Sequence, residues 1–510
     1  MTRLPAPWIK YGLALVTAVL LVVAFPPLNL VFLAPLALTP LLLALLWEPR
    51  PWHRFLLGYV AGNVYWFATC YWIQFVLEVH GGMGRWGGWG SFLLFSLTKS
   101  LHLGLFAMLA GALLPRWYAI PGVAALWTGL ERTHGPLGFA WLALGNAGID
   151  MALPMRLAPL VGVYGLSFVF ALIAAGIALL IARRPRRELA WLTALALLVV
   201  LPPLPEPEAG TRTAVLVQPN LPEEADWTPV TADEAERHMV DLTAAAAAAG
   251  NTDLMVWPES PGPFYYYADP GFRDKVTALA RDAHAWFVFG TVAETPMGQP
   301  LNSAILLAPD GRLVDRYDKM FLVPFGEFIP PMFGWVNRIT QEAGDFSPGQ
   351  RIVVFPAGRD RLGTFICYES AFPHLVRRFV KQGATVLVNI SNDGYFGHSI
   401  ARQQHLLLVR MRAAENDRWI LRATNDGITA VVDPAGRVTG RLPMYAEGTG
   451  RLKYSAEEDI TPYTELGDWF AWSCLLAAAI LLAISQWPTY LEDAPEVPQA
   501  KRGGRKSGRA

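Results

Sequence analysis

The chain predicts a polytopic α-helical membrane domain of about eight spans joined to one layered α/β domain. Three observations carry that prediction. Apolar runs of bilayer-crossing length fill residues 1–204 and return once at 468–487. Strand-like runs alternate with amphipathic helices through residues 205–467. Lys and Arg are shared unequally between alternate loops. Composition points the same way: 53% of the 510 residues are hydrophobic, against roughly 45–50% in soluble domains. The formal net charge is zero, which argues against a bulk polyanion such as nucleic acid as partner.

A spanning helix needs roughly 20 mostly apolar residues. Candidate runs lie at about 9–25, 28–47, 55–78, 88–114, 119–133, 157–182, 189–204 and 468–487. The start, "MTRLPAPWIKYG", resembles a signal peptide. No small-residue cleavage site follows it, and more spans do, so it reads as a retained first helix. Orientation follows from short-loop Lys and Arg. With the N-terminus inside, inside segments hold Arg3, Lys10, Arg50, Arg54, Arg116, Arg183, Arg184, Arg186 and Arg187. The tail adds Lys501, Arg502, Arg505, Lys506 and Arg509, whereas short outside loops hold only Arg85, Arg132 and Arg156. The prediction is a seven-helix domain over 1–204, an extracytoplasmic domain over 205–467, a helix over 468–487 and a cytoplasmic basic tail over 488–510. Lys99 sits inside the fourth span, where charge is costly; it marks either function or an interhelical pair.

In the outer stretch, "TRTAVLVQPN" reads as a strand and "TADEAERHMVDLTAAAAAAG" as a helix. "TDLMVWPES" is a strand and "PGFRDKVTALARDAHA" a helix. "WFVFGTVAE", "NSAILLAPDG" and "LVDRYDKMFL" are strands. "RLGTFICYES" is a strand, followed by a helix in "AFPHLVRRFVKQG" and a strand in "ATVLVNISND". A helix at about 400–417 and the hairpin "WILRATNDGITAVVDPAGRVTG" complete the stretch. Such alternation, with apolar strands, predicts sheets covered on both faces.

Three polar residues each follow a strand: Glu259, Lys319 and Cys367. Open α/β sheets gather ligands at the carboxyl ends of strands, so the fold can bring these three together. A thiol is mostly protonated at neutral pH and needs a base, a cation or a helix N-terminus to become a nucleophile. A helix predicted from about Ala371 offers the last. Glu259 can take the thiol proton, and Lys319 can stabilise a developing oxyanion. The chemistry is attack on an acyl carbon. Each residue also has an ordinary reading: a small core thiol, a helix cap, a solvated turn. Cys70 and Cys474 lie in apolar runs and read as packing residues. No cluster has metal-ligand spacing, so neither metal nor cofactor is expected.

The motifs "VWPES", "YDKMFLVPFGEFIP" and "ICYESAFP" together resemble the carbon–nitrogen hydrolase (nitrilase) superfamily. More narrowly, the whole chain resembles the apolipoprotein N-acyltransferase family, with "QPNLPEEADW", "SNDGYFGHS" and "GFAWLALG" also similar. The resemblance implies an αββα sandwich and a Glu259–Lys319–Cys367 triad of base, cation and nucleophile. It implies a second essential acid at Glu327, supporting positions at Tyr368 and Glu369, and substrate handling by Trp227. It further implies acyl transfer from a phospholipid, typically phosphatidylethanolamine, to the N-terminal amine of diacylated apolipoproteins. Both substrates are lipids, so a site held against the lipid bilayer suits them. "PGPFYYYADP" and "IPPMFGWV" offer apolar surface for chains.

Three other readings stand beside this one. A membrane-anchored amidase would use water as acceptor. A Cys–His enzyme would use His398 as base. A transporter with an external domain would carry paired charges in its spans, and beyond Lys99 there are few.

Overall fold

The computed structural model describes residues 6–135, 139–206, 209–223, 227–324, 326–328 and 346–486. The predicted basic tail and "IPPMFGWV" lie outside the described residues.

Among the described residues, three helices are long and apolar enough to cross a membrane: Gly84–Leu113, Val163–Ile181 and Trp469–Gln486. The other predicted spans are shorter, broken or less apolar. Pro7–Val23 has 17 residues and Ala119–Arg132 has 14. The 28–47 run divides into a 3-10 stretch, Val31–Leu36, containing Pro35, and a short helix, Thr39–Leu46. The 189–204 run is a 3-10 stretch, Arg186–Ala196, with one α-turn, Leu197–Val200. The prolines at 202, 203 and 205 stop it there. Of the eight or so expected spans, three meet the length and composition of a continuous crossing helix among the described residues.

Small residues pack the helices closely. A Cβ on Gly58, in helix Pro51–Thr69, would lie 2.3 Å from the Leu103 carbonyl oxygen of helix Gly84–Leu113. A Cβ on Gly129 would meet the Leu475 backbone in the same way.

The α/β domain, called outer from its predicted placement, holds two six-stranded sheets. The first contains β1 (Arg212–Gln218), β2 (Leu254–Val256), β3 (Trp286–Glu294), β4 (Pro300–Leu307), β5 (Leu313–Asp318) and β12 (Gly448–Tyr454). The second contains β6 (Val354–Ala357), β7 (Asp360–Ile366), β8 (Val386–Ser391), β9 (Ile420–Thr424), β10 (Ala430–Val432) and β11 (Val438–Arg441). Their orders are β12-β1-β2-β3-β4-β5 and β11-β10-β9-β8-β7-β6. The centres, β1-β2-β3 and β7-β8-β9, are parallel.

Strand alternation builds the layers. Ala214 and Leu216 of β1 join the core shared with the second sheet. Val215 and Val217 face the other way, into a cluster with Met239, Phe272 and Val276 from helices Pro229–Ala248 and Pro270–Ala283. Helices Pro373–Lys381 and Ala401–Asn416 accompany the second sheet. The result is an αββα sandwich. Sequence reading passed over β6 and β12: Pro356 interrupts the first, and glycines dilute the pattern of the second.

Helix Ala401–Asn416 is buried on nearly every side, including polar residues Gln404, His405, Arg412, Glu415 and Asn416. The helical domain touches it directly. Val163 N donates to Glu415 Oε1 at 2.9 Å, and Gln404 Nε2 donates to Thr69 O at 3.0 Å. Where the last helix begins, Arg132 pairs with Asp468 at 2.5 Å.

Candidate active site

Glu259, Lys319 and Cys367 follow β2, β5 and β7. The Glu259 turn lies across β3 at Gly290, where a Cβ would come within 2.6 Å of Ser260 N and 2.7 Å of Glu259 Cα. No larger residue fits beneath that turn. Lys319 N donates to Asn302 O at 2.8 Å, extending the β4–β5 pairing by one residue. Cys367 opens a 3-10 turn, Cys367–Ala371, with φ +48°, a left-handed conformation that costs free energy for a residue with a side chain. The α-helix starts only at Pro373, so the expected helix N-terminus does not begin at Ala371.

The structure links Lys319, Glu259 and Glu327 tightly. Lys319 Nζ lies 3.0 Å from Glu259 Oε1 and 2.8 Å from Glu327 Oε1. Asn302 Nδ2 donates to the same two oxygens at 2.7 and 2.6 Å. The remaining oxygens accept from backbone: Asn392 N at 2.9 Å for Glu259, and Val323 N at 2.7 Å for Glu327. Lys319 is 1% exposed, Glu259 7% and Cys367 5%. Burial alone would lower the Lys319 ammonium, but the charges of Glu259 and Glu327 outweigh it and hold it well above its usual range.

Burial pushes the Cys367 thiol up, and the Glu259 charge adds to that, while Lys319 pulls it down. A raised thiol value means a smaller thiolate fraction at any given pH. A nucleophile with such a thiol would need a base at the moment of attack, and Glu259 is the carboxylate whose charge bears most on the thiol. We expect the rate of Cys367 alkylation by iodoacetamide to climb without a plateau between pH 6 and about pH 9. A plateau below pH 8, read by mass spectrometry of the peptide, would mean a preformed thiolate.

Glu369 is buried and accepts from four donors. Oε1 takes Tyr317 OH at 2.8 Å, Met320 N at 2.7 Å and Phe321 N at 3.2 Å; Oε2 takes Ile366 N at 2.8 Å. Burial pushes this carboxyl up to about 7, with the donors resisting. Glu369 ties the Lys319 loop to the Cys367 turn. Tyr368 stacks with Phe139, centroids 5.9 Å apart, and with Trp141 at 6.3 Å. Trp227 is half-buried and 6.2 Å edge-on to Phe264. In "PGPFYYYADP", Phe264 and Tyr266 are core residues, and Tyr265 and Tyr267 are exposed. His398 stacks on Tyr445 at 4.3 Å.

Sequence reading missed Asn302, Asn392, Asp393, His405 and Arg422. Asn392 follows β8 as the other three follow their strands, so the same rule would have found it. His405 Nε2 lies 3.0 Å from the Cys367 carbonyl and, since a carbonyl only accepts, carries a proton there. Its Nδ1 faces Asp393 Oδ1 at 2.9 Å. Arg422 donates to Asp393 Oδ2 at 2.6 Å and to Asn389. Burial would raise Asp393, but Arg422 and His405 together hold it far below its usual range.

The carbon-nitrogen hydrolase family matches residues 214–453, and the apolipoprotein N-acyltransferase N-terminal domain matches residues 17–176. The apolipoprotein N-acyltransferase of Geobacter metallireducens is 34% identical over 498 residues, covering 93% of this chain and 95% of that one. The one from Ralstonia nicotianae is 33% identical over 478 residues, covering 89% and 90%. Among solved structures, Saccharomyces cerevisiae Nit3, a member of branch 10 of the nitrilase superfamily, aligns at 20% identity with TM-score 0.38. That alignment covers 48% of this chain and 90% of the other.

Proposed function

Because this chain belongs to the apolipoprotein N-acyltransferase family, we propose that it transfers an acyl chain from a phospholipid to the α-amine of a diacylglyceryl-cysteine at an apolipoprotein N-terminus. The observation that carries the reading is the buried Lys319 held between Glu259 and Glu327, with the Cys367 thiol within reach of the Glu259 and Lys319 charges. Phosphatidylethanolamine is the expected donor.

The reaction runs in two halves. Glu259 takes the Cys367 proton as sulfur attacks the ester carbonyl, and Lys319 faces the oxyanion. The intermediate collapses, Glu259 returns the proton to the leaving oxygen, and a lysophospholipid departs. The α-amine, as free base, then attacks the thioester. Glu259 takes the amine's proton and returns it to the thiolate, leaving an amide. Glu327 orients Lys319, Glu369 and Tyr368 fix the turn, and Trp227 serves in substrate handling. We place residues 205–467 on the periplasmic side of the inner membrane, with both termini cytoplasmic, on the loop charges.

The acceptor separates transferase from hydrolase. Protein given phospholipid alone is expected to accumulate acyl-Cys367 and stop after about one turnover, because a site closed to water protects the thioester. A diacylated lipopeptide with a free N-terminal amine should discharge it, and an N-acetylated one should not. Steady release of free fatty acid, unchanged by the amine, would make water the acceptor.

A further inference from the structure

The geometry points to a positioning device shared by the two domains: residues 139–141, anchored by Lys99 on one side and Gln404 on the other, seat Tyr368 and through it the Cys367 turn. The proposal rests on Cys367 being the nucleophile.

Lys99 is buried within helix Gly84–Leu113. A charge there is expensive unless its donors are used. Its ammonium hydrogen-bonds to His134 Nδ1, donates to Phe139 O at 3.0 Å and lies 5.0 Å from the Trp66 ring. One of those donors fixes the backbone of an irregular segment just where that segment reaches the outer domain. From there the Phe139 and Trp141 rings lie nearly parallel to Tyr368, at interplanar angles of 24° and 22°.

Gln404 closes the other end. Its Oε1 accepts from Trp141 Nε1 at 2.8 Å and from Trp72 Nε1 at 3.2 Å, and its Nε2 donates to Thr69 O. Each of these hydrogen bonds goes to the helical domain. The next residue, His405, holds the Cys367 carbonyl. Two consecutive residues of one helix thus grip the helical domain and the nucleophile. The left-handed Cys367 backbone persists only if its surroundings enforce it. The enforcement comes from both sides of the peptide: His405 on the carbonyl, and the 139–141 rings on the side chain that follows. Lys99 and Gln404 touch no reacting atom, so both are positioning residues.

The test uses full-length protein in nanodiscs containing phosphatidylethanolamine. Acyl-Cys367 formation is followed by mass spectrometry at varied lipid content, beside the thermal midpoint. Lys99→Met and Gln404→Met are each expected to slow acylation about ten- to a hundredfold. The half-saturating lipid content should stay the same. The Lys99→Met midpoint should not fall, because a buried charge has been removed from a membrane helix. Lys99→Arg, which keeps the donors, should restore most of the rate. The double Met variant should be no slower than the slower single one, since both act on one device. Wild-type rates in both single variants, or strictly multiplicative losses in the double variant, would overturn the proposal. Absence of acyl-Cys367 in the wild type would instead overturn the assigned nucleophile.

Discussion

Cys367→Ala is expected to abolish turnover, a loss of roughly 10⁴-fold or more for removal of the proposed nucleophile. Incubated with phospholipid, the variant should gain no acyl mass where the wild type gains one chain. Folding should survive. The turn is held by His405 on the Cys367 carbonyl and by Glu369 on Ile366 N, and neither contact uses sulfur. The neighbouring Glu259–Lys319–Glu327 cluster is likewise complete without the thiol. Near-normal turnover in a folded Cys367→Ala protein would remove this residue as nucleophile and the thioester with it.

Lys319→Met has the second largest expected effect, and it acts twice. The ammonium bridges two buried carboxylates, and without it Asn302 Nδ2 alone stands between their nearest oxygens. Breaking a buried pair by removing one partner costs about 3–5 kcal/mol, until one acid takes up a proton. The oxyanion also loses its cation, a loss of about 10²–10³ in rate. Lys319→Met/Glu327→Gln separates the two effects. It removes one of the two like charges and should recover most of the thermal midpoint while leaving acylation slow. Acylation at the wild-type rate in Lys319→Met would show that the ammonium has only a structural task.

Much of the outer domain was readable because apolar strands of ordinary length alternate with capped helices. β3 appears at the bounds of "WFVFGTVAE". The convergence of Glu259 and Lys319 could be anticipated from one rule, that polar residues following strands meet at one sheet end. Asn302 escaped that rule because it lies inside β4, where only a polar residue at a buried position would have given it away. His405 escaped because it sits mid-helix, and its partner is a backbone carbonyl that no side-chain pattern reveals. The helical domain was the less legible part. Hydropathy registers apolar residues but not the 3-10 turns and prolines that break two of the predicted spans. Lys99 was visible as a costly charge, but its partners were not.

Helix Ala401–Asn416 has almost no wet face: the second sheet and the helical domain enclose it between them. This has a consequence for biogenesis. The outer domain cannot complete its own surface, because Gln404 and Glu415 find hydrogen-bonding groups in helices made earlier in the chain. In the proposed orientation, those helices form a template already in the bilayer when residues 205–467 emerge beyond it. The helix Trp469–Gln486 comes last and latches the assembly through Asp468 on Arg132 and on Tyr463 OH, at 2.5 and 2.7 Å. The order of synthesis is thus the order in which each part finds its support waiting. A chain cut at the junction of the two families would leave a row of buried polar groups without their mould.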